Sequence, residues 1–294
     1  MPRGPLKKTR AAADTVVVEI ALESVLAPQT RGAVLAHYEH VADTLALDFP
    51  HVPVCPVYYP NGLGEKPQYT AAWHKELPAT IPFVDVGPAD ERKRYAAVDA
   101  DALLWLVHRG AVGFDSWTPS PRDPERIGYA RILLSPRAGA TQEQLAEALQ
   151  ALRTVLTARG AQAVPVLDGR HGAALFLPFA DLPAYADVRH WLHGVADAAV
   201  AERPALLATE PKPSAARIHL AVSSNAVGRY SSLPYTLAGT PELGMVTPIG
   251  WDELGRVHNG TYTAANSAER LAQGDRFAQG AVAIGNQRFA GVRA

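Results

Sequence analysis

Residues Tyr129 to Pro136 read YARILLSP and lie in the middle of a pattern of strands and helices. This stretch is mostly apolar and ends at a proline, which predicts a short buried strand. Residues 141–144 (TQEQ) follow with the spacing of a capping box, in which a threonine and a glutamine each bond the other's backbone N–H. Leucines from Leu145 to Leu156 then form the apolar stripe of an amphipathic helix. A buried strand beside a capped helix is typical of layered folds that combine both elements.

Strand and helix patterns alternate on both sides of this stretch. Apolar and β-branched runs predict strands at residues 15–20, 111–117, 163–167, 173–177 and 217–222. Apolar spacing and capping residues predict helices at 30–45, 99–110, 183–199 and 268–273, and a helix start at 251–254. We expect a loop rich in Pro, Arg and Asp after Trp117, and a turn at 168–172. The interleaved order predicts an α/β or α+β protein.

The composition limits the class of protein. The chain has 294 residues and a net charge of −1, so it lacks an overall positive field, and any nucleic-acid binding needs a local patch. Cys55 is the single cysteine, which excludes an internal disulfide and a multi-cysteine zinc site. We interpret it as a buried small residue. We find no apolar run that would span a membrane and no signal sequence, so we expect a cytoplasmic protein that can associate with the nucleoid.

Motifs for several familiar chemistries are missing from the sequence. There is no phosphate-binding glycine loop, no nucleophile elbow and no zinc-protease helix. His190 and His193 have an i, i+3 spacing that suits a metal, but no third ligand is nearby, so we interpret them as solvated or packed. Asp99 and Asp101 precede an apolar run and are interpreted as helix-capping residues rather than as a metal pair. Motifs alone therefore indicate no activity.

Several short blocks nevertheless occur in an order that is similar to one known family. The C-terminal blocks are 233–236 (LPYT), 246–254 (VTPIGWDEL) and 269–278 (ERLAQGDRFA). The upstream blocks are 22–32 (LESVLAPQTRG), 60–62 (PNG), 73–78 (WHKELP) and 103–117. Together they resemble the polymerase domain of bacterial ligase D, a branch of the archaeo-eukaryotic primase superfamily, over residues 15–278.

The resemblance implies a primase-polymerase-like fold. We expect a central mixed or antiparallel sheet flanked by helices, with a smaller N-terminal α/β subdomain. The implied domain covers residues 14–278, divided into an N-terminal part (14–100) and a catalytic-like core (101–278). From composition we expect a disordered basic arm at 1–13 and a loosely held tail at 279–294.

The resemblance also implies aspartates that hold two divalent metals, because hard cations take carboxylate oxygens. The corresponding positions of this sequence are Leu133, Ser135 and Ala221. Leucine and alanine offer no metal ligand, and a single serine hydroxyl is a poor neutral ligand. We therefore predict no catalytic residue, no metal and no cofactor at the family's site.

The implied triphosphate contacts are altered as well. The family's Ser-Gly-x-x-Gly-x-His turn corresponds to residues 168–174 (DGRHGAA), so Asp168 replaces the serine and Ala174 the histidine. An unpaired carboxylate about 4 Å from a phosphate charge costs roughly 1–4 kcal/mol. Ala238 replaces an arginine, and Asp115 stands where the family's His-Pro-Trp begins.

The DNA contacts that the resemblance implies are altered less than its metal and triphosphate contacts. Arg31 retains a cation where the family grips a downstream 5′-phosphate, although Ser24 replaces a usual lysine. Lys75 and Arg229 match basic positions of the family. Trp73 occupies one of two aromatic positions, where it would either stack on a base or belong to the core. The implied partners are DNA ends or gapped DNA with a 5′-phosphate, and end-joining repair proteins.

Three functions are compatible with the sequence. The first is a catalytically inactive, polymerase-like protein that binds DNA and is linked to repair by end joining. The second is an active nucleotidyl transferase in which Asp115 and Asp168, both at predicted strand ends, form a rearranged site for Mg²⁺ or Mn²⁺. The third is a protein-interaction scaffold without a nucleic-acid role, which the near-neutral net charge favours.

Overall fold

The computed structural model describes residues 26–70, 77–87, 90–210 and 216–292. The predicted arm at 1–13 and the predicted strand at 15–20 lie outside these residues. Within them, the helices are α1 (Pro28–Asp48), α2 (Ala100–His108), α3 (Gln142–Ala158), α4 (Tyr185–Glu202), α5 (Ser267–Ala272) and α6 (Arg276–Ile284), followed by a 3₁₀ helix at Phe289–Gly291. None of these helices is both long enough and apolar enough to cross a membrane.

The strands of the described chain are mostly short. They are β1 (Pro53–Tyr58), β2 (Gln68–Tyr69), β3 (Phe83–Val86), β4 (Lys93–Ala97), β5 (Gly113–Ser116), β6 (Pro119–Ser120), β7 (Asp123–Ile127), β8 (Tyr129–Pro136), β9 (Val164–Leu167), β10 (Ala173–Pro178), β11 (Leu207–Ala208), β12 (Ile218–Ala221), β13 (Ser231–Ser232) and β14 (Thr247–Pro248). β8 is the longest of them, as its uninterrupted apolar pattern predicts.

Two six-stranded sheets form the framework of this part of the chain. The first has the order β13-β5-β1-β4-β3, with β2 paired to β1, and the second has the order β11-β12-β8-β10-β9-β14. Neighbours are antiparallel except β11 and β12, which are parallel. The expected mixed α/β architecture is confirmed. Both β5 and β13 belong to the first sheet, so the division expected at residue 100 does not separate the two sheets.

The predicted strand at 129–136 is confirmed as β8, inside the second sheet between β12 and β10. Ile132 and Leu134 are buried in the core that contains α3 and α4. Leu133 packs against a separate core that includes α1 and the first sheet. Alternate residues of a strand face opposite sides of a sheet, so Arg131 and Ser135 share the face of Leu133.

Both predicted helix caps are confirmed. The N–H of Gln144 donates to Thr141 Oγ1 at 3.2 Å, and the N–H of Thr141 donates to Gln144 Oε1 at 2.9 Å. At the start of α2, the N–H of Ala102 donates to Asp99 Oδ1 at 3.1 Å. These bonds join residues three apart, which is why a local pattern predicts them.

The prolines before residue 60 conceal a buried strand. Pro53 and Pro56 interrupt the apolar pattern of β1, which the sequence did not predict as a strand. β1 pairs with β4 at its first residues and with β5 from Cys55 onward, so neither proline interrupts a long continuous ladder. The loop expected after Trp117 also contains structure, because β6 and β7 form a hairpin there.

The helix start expected at 251–254 is wrong, since these residues form a turn. The carboxylate of Glu253 accepts the Gly250 N–H at 2.7 Å and two guanidinium nitrogens of Arg270, each at 2.7 Å. Arg270 is fully buried. The Glu253 carboxylate therefore stabilises a turn and an ion pair, and it does not cap a helix.

The tail expected at 279–294 is wrong for residues 279–292. α6 continues to Ile284, so its last six residues lie in the expected tail. Farther on, the Gln287 side chain donates to the Pro178 carbonyl at 3.0 Å. The Phe289 ring packs edge-on against Phe179, with centroids 5.5 Å apart. These contacts fasten the C-terminal residues to the second sheet.

Candidate functional site

Three cavities that share lining residues form one cleft beside β8. Their volumes are about 190, 360 and 440 Å³. Asp115 lines the first and second, Arg170 the first and third, and Tyr69 the second and third. Leu133 lies at the junction of the first two. We call these three cavities together the cleft.

A row of apolar residues crosses three strands at the cleft, and Leu133 and Ala174 of that row line it. Leu133 of β8 is the direct partner of Ala221 on β12 and of Ala174 on β10. Ser135, two residues farther along β8, is the partner of His219 and is exposed. Leu133, Ser135 and Ala221 are the three positions where the resemblance implies aspartates, and Ala174 is the position of its histidine.

These residues do not fit the metal pair that the resemblance implies. Leu133 and Ala221 carry no lone pair for a cation, and Ser135 offers only a neutral hydroxyl. Within the described ranges, no group of three or more His, Cys, Asp or Glu side chains is arranged to hold a metal ion. His190 and His193 are thus not part of such a group either.

Asp115 is a buried carboxylate at the side of the cleft. It lies on β5, opposite Cys55 on β1 and opposite Ser232 on β13. Burial raises the pKa of Asp115 to about 6, although a hydrogen bond from Ser232 and the charges of Arg170 and Arg131 act in the opposite direction. Burial likewise raises the pKa of the Cys55 thiol, which agrees with its interpretation as a small core residue.

Asp168, the other acid considered from the sequence, is engaged by its own turn. Its Oδ1 accepts the N–H of Arg170 at 2.8 Å and the N–H of Gly172 at 2.9 Å. The predicted turn between β9 and β10 is therefore closed by this carboxylate. Asp168 and Asp115 line the same 190 Å³ cavity, so the structure brings the two acids to one place.

Arg170 is an exposed cation of the cleft that sequence reasoning did not single out. Its Nη2 donates to the hydroxyl of Tyr59 at 2.8 Å, and Tyr59 itself is buried. The Tyr59 ring lies against the backbone at Gly239, where an added Cβ would be 1.9 Å from a ring carbon. Glycine at 239 therefore permits the position of Tyr59 and, through it, the orientation of Arg170.

Arg131 is a buried cation in the middle of β8, and sequence reasoning missed its role. Its Nη1 donates to the Ser116 carbonyl at 2.7 Å and to Ser231 Oγ. Its Nη2 donates to the carbonyls of Ser224 at 3.1 Å and Arg229 at 3.2 Å. The available signal was that Arg131 is the only charged residue of YARILLSP.

Two of the four predicted DNA-binding residues lie in the part of the chain that the structure describes. Arg229 is exposed and lines the 360 Å³ cavity of the cleft. Arg31 lies in the first turn of α1, half-buried, and does not line the cleft cavities. Trp73 and Lys75 lie outside the described residues, as does Ser24.

Comparisons with known proteins agree with this arrangement. The profile of the family described as LigD, primase-polymerase domain, matches residues 30–277. The multifunctional non-homologous end joining protein LigD of Mycolicibacterium smegmatis is 24% identical over 237 residues, which cover 76% of this chain and 30% of that protein. The multifunctional non-homologous end joining DNA repair protein LigD of Mycobacterium tuberculosis is 23% identical over 236 residues, covering 76% and 31%. The chain thus spans about 30% of the length of these relatives.

A solved structure shares the fold. The polymerase domain of Mycobacterium tuberculosis ligase D, in complex with DNA, matches with a TM-score of 0.76 and 20% sequence identity. The match covers 88% of this chain and 95% of that domain. The expected primase-polymerase-like fold is confirmed.

Proposed function

The chain belongs to the LigD primase-polymerase domain family, and from this premise we propose that it is a catalytically inactive member that binds DNA during repair by end joining. Family membership supports the link to end joining, since both curated relatives are named for that process. The loss of catalysis and the binding of DNA each rest on an argument of their own.

The inactive assignment is carried by the row of Ala221, Leu133 and Ala174. Nucleotidyl transfer by two metals needs carboxylates that fix both cations, and the cations in turn neutralise the triphosphate. Side chains at directly opposed strand positions lie about 5 Å apart, close enough for two carboxylates to share a cation. Hydrocarbon side chains at these positions remove that capacity, while the surrounding strands are kept.

DNA binding is supported by the cations around the cleft and by the relative solved with DNA. Arg229 and Arg170 line the cleft, and Arg31 lies at the start of α1. The net charge of −1 means that binding comes from these local charges and falls steeply with salt. DNA ends or gaps with a 5′-phosphate are the proposed ligand, and end-joining proteins are proposed partners. With this role we propose a cytoplasmic protein that can associate with the nucleoid.

The test is a titration of labelled gapped DNA that carries a 5′-phosphate, at low and high salt, beside a separate titration of nucleoside triphosphate. We expect DNA binding without tight nucleotide binding. Arg31→Ala and Lys75→Ala should each weaken DNA binding severalfold. Arg256→Ala is the matched control, because that side chain is 71% exposed and is not among the DNA contacts that the resemblance implies. Absence of DNA binding at low salt would reject the proposal, and partners captured equally after nuclease treatment would favour a protein-only scaffold.

One observation favours a second candidate, an active nucleotidyl transferase with a rearranged site. Asp115 and Asp168 line the same cavity, next to the row where the family's acids would be. Primer extension with Mg²⁺ or Mn²⁺ decides between the two, comparing wild type with Asp115→Asn. Extension that depends on Asp115 would replace the inactive assignment with this one.

A further inference from the structure

Arg131 is a charged residue in a place where charge is costly. It is fully buried within β8, the strand whose other inward residues are apolar. Burial lowers the pKa of Arg131 to about 10, while the charge of Asp115 acts in the opposite direction. The guanidinium therefore stays charged at neutral pH. A buried cation is retained when its donors are satisfied, so its hydrogen bonds indicate what it is for.

On the side of β8 that faces β12, the backbone of Arg131 is hydrogen-bonded by a side chain and not by a strand. β12 pairs with β8 only from Pro136 back to Leu133, and its own strand ends at Ala221. Beyond that point, Asn225 Oδ1 accepts the Arg131 N–H at 2.8 Å, and Asn225 Nδ2 donates to the Arg131 carbonyl at 2.7 Å. Asn225 thus continues the ladder where β12 has left the sheet.

The guanidinium then binds the segment that leaves the sheet. We call residues 222–230 the bridging loop, because they connect β12 of the second sheet to β13 of the first. All four Nη hydrogens of Arg131 have an acceptor, whereas its buried Nε has none among the described residues. Two of the acceptors are the carbonyls of Ser224 and Arg229 in this loop. The other two, Ser116 and Ser231, lie on the neighbouring strands β5 and β13.

We propose that Arg131 is the positioning residue for the DNA contact at Arg229: its buried guanidinium fixes the bridging loop and so directs the Arg229 side chain into the cleft. This inference rests on the DNA-binding function proposed above. The carbonyl of Arg229 is held by Arg131, whereas its side chain is exposed and lines the 360 Å³ cavity. Gly228, just before it, has a φ of +69°, so the backbone turns sharply at this point.

The chemistry of the contact requires arginine in particular. The four acceptors lie on three separate segments, and a planar guanidinium reaches them with a rigid fork of donors. A lysine has its three donors on one nitrogen, so it cannot reach acceptors that are spread over three separate segments. Holding a phosphate-binding side chain in place before DNA arrives lowers the entropy lost on binding, which is how a residue that never touches DNA affects affinity.

The test is a double-mutant cycle read through the salt dependence of binding to gapped 5′-phosphorylated DNA. Arg229→Ala removes one phosphate contact, so the slope of log K against log salt should become shallower by about 0.7–0.9. Arg131→Met should change the slope by the same amount. The double variant should bind within about twofold of either single variant, because contacts that act as one unit are not additive. Partial unfolding would lower the active fraction but leave the slope unchanged.

Ser231→Ala keeps the buried charge and removes a single acceptor, so it tests the contact if Arg131→Met folds poorly. It should weaken DNA binding less than Arg131→Met does. Val227→Ala is the matched control in the bridging loop, since Val227 is exposed and does not line the cleft. Amide hydrogen exchange of residues 222–230, measured without DNA, should rise in Arg131→Met and Ser231→Ala while α3 stays protected. If hydrogen exchange in the loop is unchanged in both variants, the inference is wrong whatever their DNA affinities are. If wild type binds DNA and Arg229→Ala binds it equally tightly, the inference is also wrong, but the proposed function stands. If wild type does not bind DNA, the proposed function itself is rejected.

Discussion

Leu133 and Ala221 are direct cross-strand partners at the point where the family resemblance implies two aspartates. Leu133 has Ala174 as its partner on the other side, where the resemblance implies a histidine. Backbone register is set by hydrogen bonds and by the apolar pattern of each strand, so it survives the loss of individual functional side chains. Under the proposed assignment, the strand pairing of a polymerase site is kept while the side chains at these positions provide no carboxylate ligand.

Returning carboxylates to this geometry should create a metal site. We predict that the combined variant Leu133→Asp, Ser135→Asp and Ala221→Asp binds Mn²⁺ with an affinity that wild type lacks, measured by isothermal titration. Opposed carboxylates about 5 Å apart repel one another without a cation. The melting temperature of the variant should therefore fall without metal and recover when Mn²⁺ is added. Primer extension should stay absent, because Ala174 and Asp168 still replace the family's triphosphate contacts.

The matched control replaces the same three residues by asparagine, which has similar size without the charge. We expect this control to bind no Mn²⁺ and to gain no stability from it. Equal Mn²⁺ affinity in wild type and in the aspartate variant would contradict the prediction. That outcome would direct attention to Asp115 and Asp168 as ligands.

The parts of the fold that sequence reasoning predicted well are local. β8, the capping box of α3 and the cap of α2 depend on residues at most a few positions apart, so a pattern reveals them. β1 was missed because Pro53 and Pro56 hide its apolar run, and its burial comes from neighbours far along the chain.

The candidate site was only partly predictable for the same reason. The positions of Leu133 and Ala221 came from a resemblance and not from any chemistry that the residues display. Arg131 is separated by 93 to 100 residues from Ser224, Arg229 and Ser231, whose atoms accept its hydrogen bonds. No local pattern encodes a contact at that separation.

Gly239→Ala should disturb the cleft through Tyr59. The added methyl group would lie 1.9 Å from the ring of Tyr59, which is buried and accepts a hydrogen bond from Arg170. Such overpacking costs typically about 1–3 kcal/mol of unfolding free energy. We expect that loss in urea denaturation. Gly194→Ala is the control, because this glycine lies in α4 with nothing within 4 Å of the added carbon. It should gain up to about 1 kcal/mol, and equal effects of the two changes would contradict the structural reason given.

Glu253→Gln should strongly destabilise the C-terminal turn. Glu253 accepts two bonds from Arg270, which is fully buried, so the substitution leaves an uncompensated cation at a cost of about 3–5 kcal/mol. The hydrogen bonds from Arg270 lower the pKa of Glu253 to about 2, below its ordinary value of 4.5. The stability from this pair is therefore present above pH 4.5 and is lost as the pH falls toward 2. Glu147→Gln, in an exposed pair with Arg203, should change stability by less than about 1 kcal/mol, as thermal denaturation will measure.

Asp48 should make the fold less stable as the pH rises. It ends α1 and lies beside Asp275, the N-cap residue of α6. Burial, followed by the nearby charge of Asp275, raises the pKa of Asp48 from 3.8 to about 8. The folded state therefore keeps a proton that the unfolded state releases near pH 4, so the contribution of Asp48 to stability is greatest below pH 4 and declines as the pH rises to 8. The slope for one proton is at most about 1.4 kcal/mol per pH unit.

Asp48→Asn tests this slope, because asparagine keeps the size and cannot ionise. Urea denaturation from pH 7 to 8 should show wild type losing stability while the variant changes less, so that the variant is the more stable protein at pH 8. Three other buried groups with shifted pKa values titrate below this window. The pKa of Asp115 is raised to about 6, that of His37 is lowered to about 4, and that of Glu253 is lowered to about 2. Parallel pH profiles of wild type and Asp48→Asn across the window would show that Asp48 is ionised in the fold, and that α1 and α6 are held together without a shared proton.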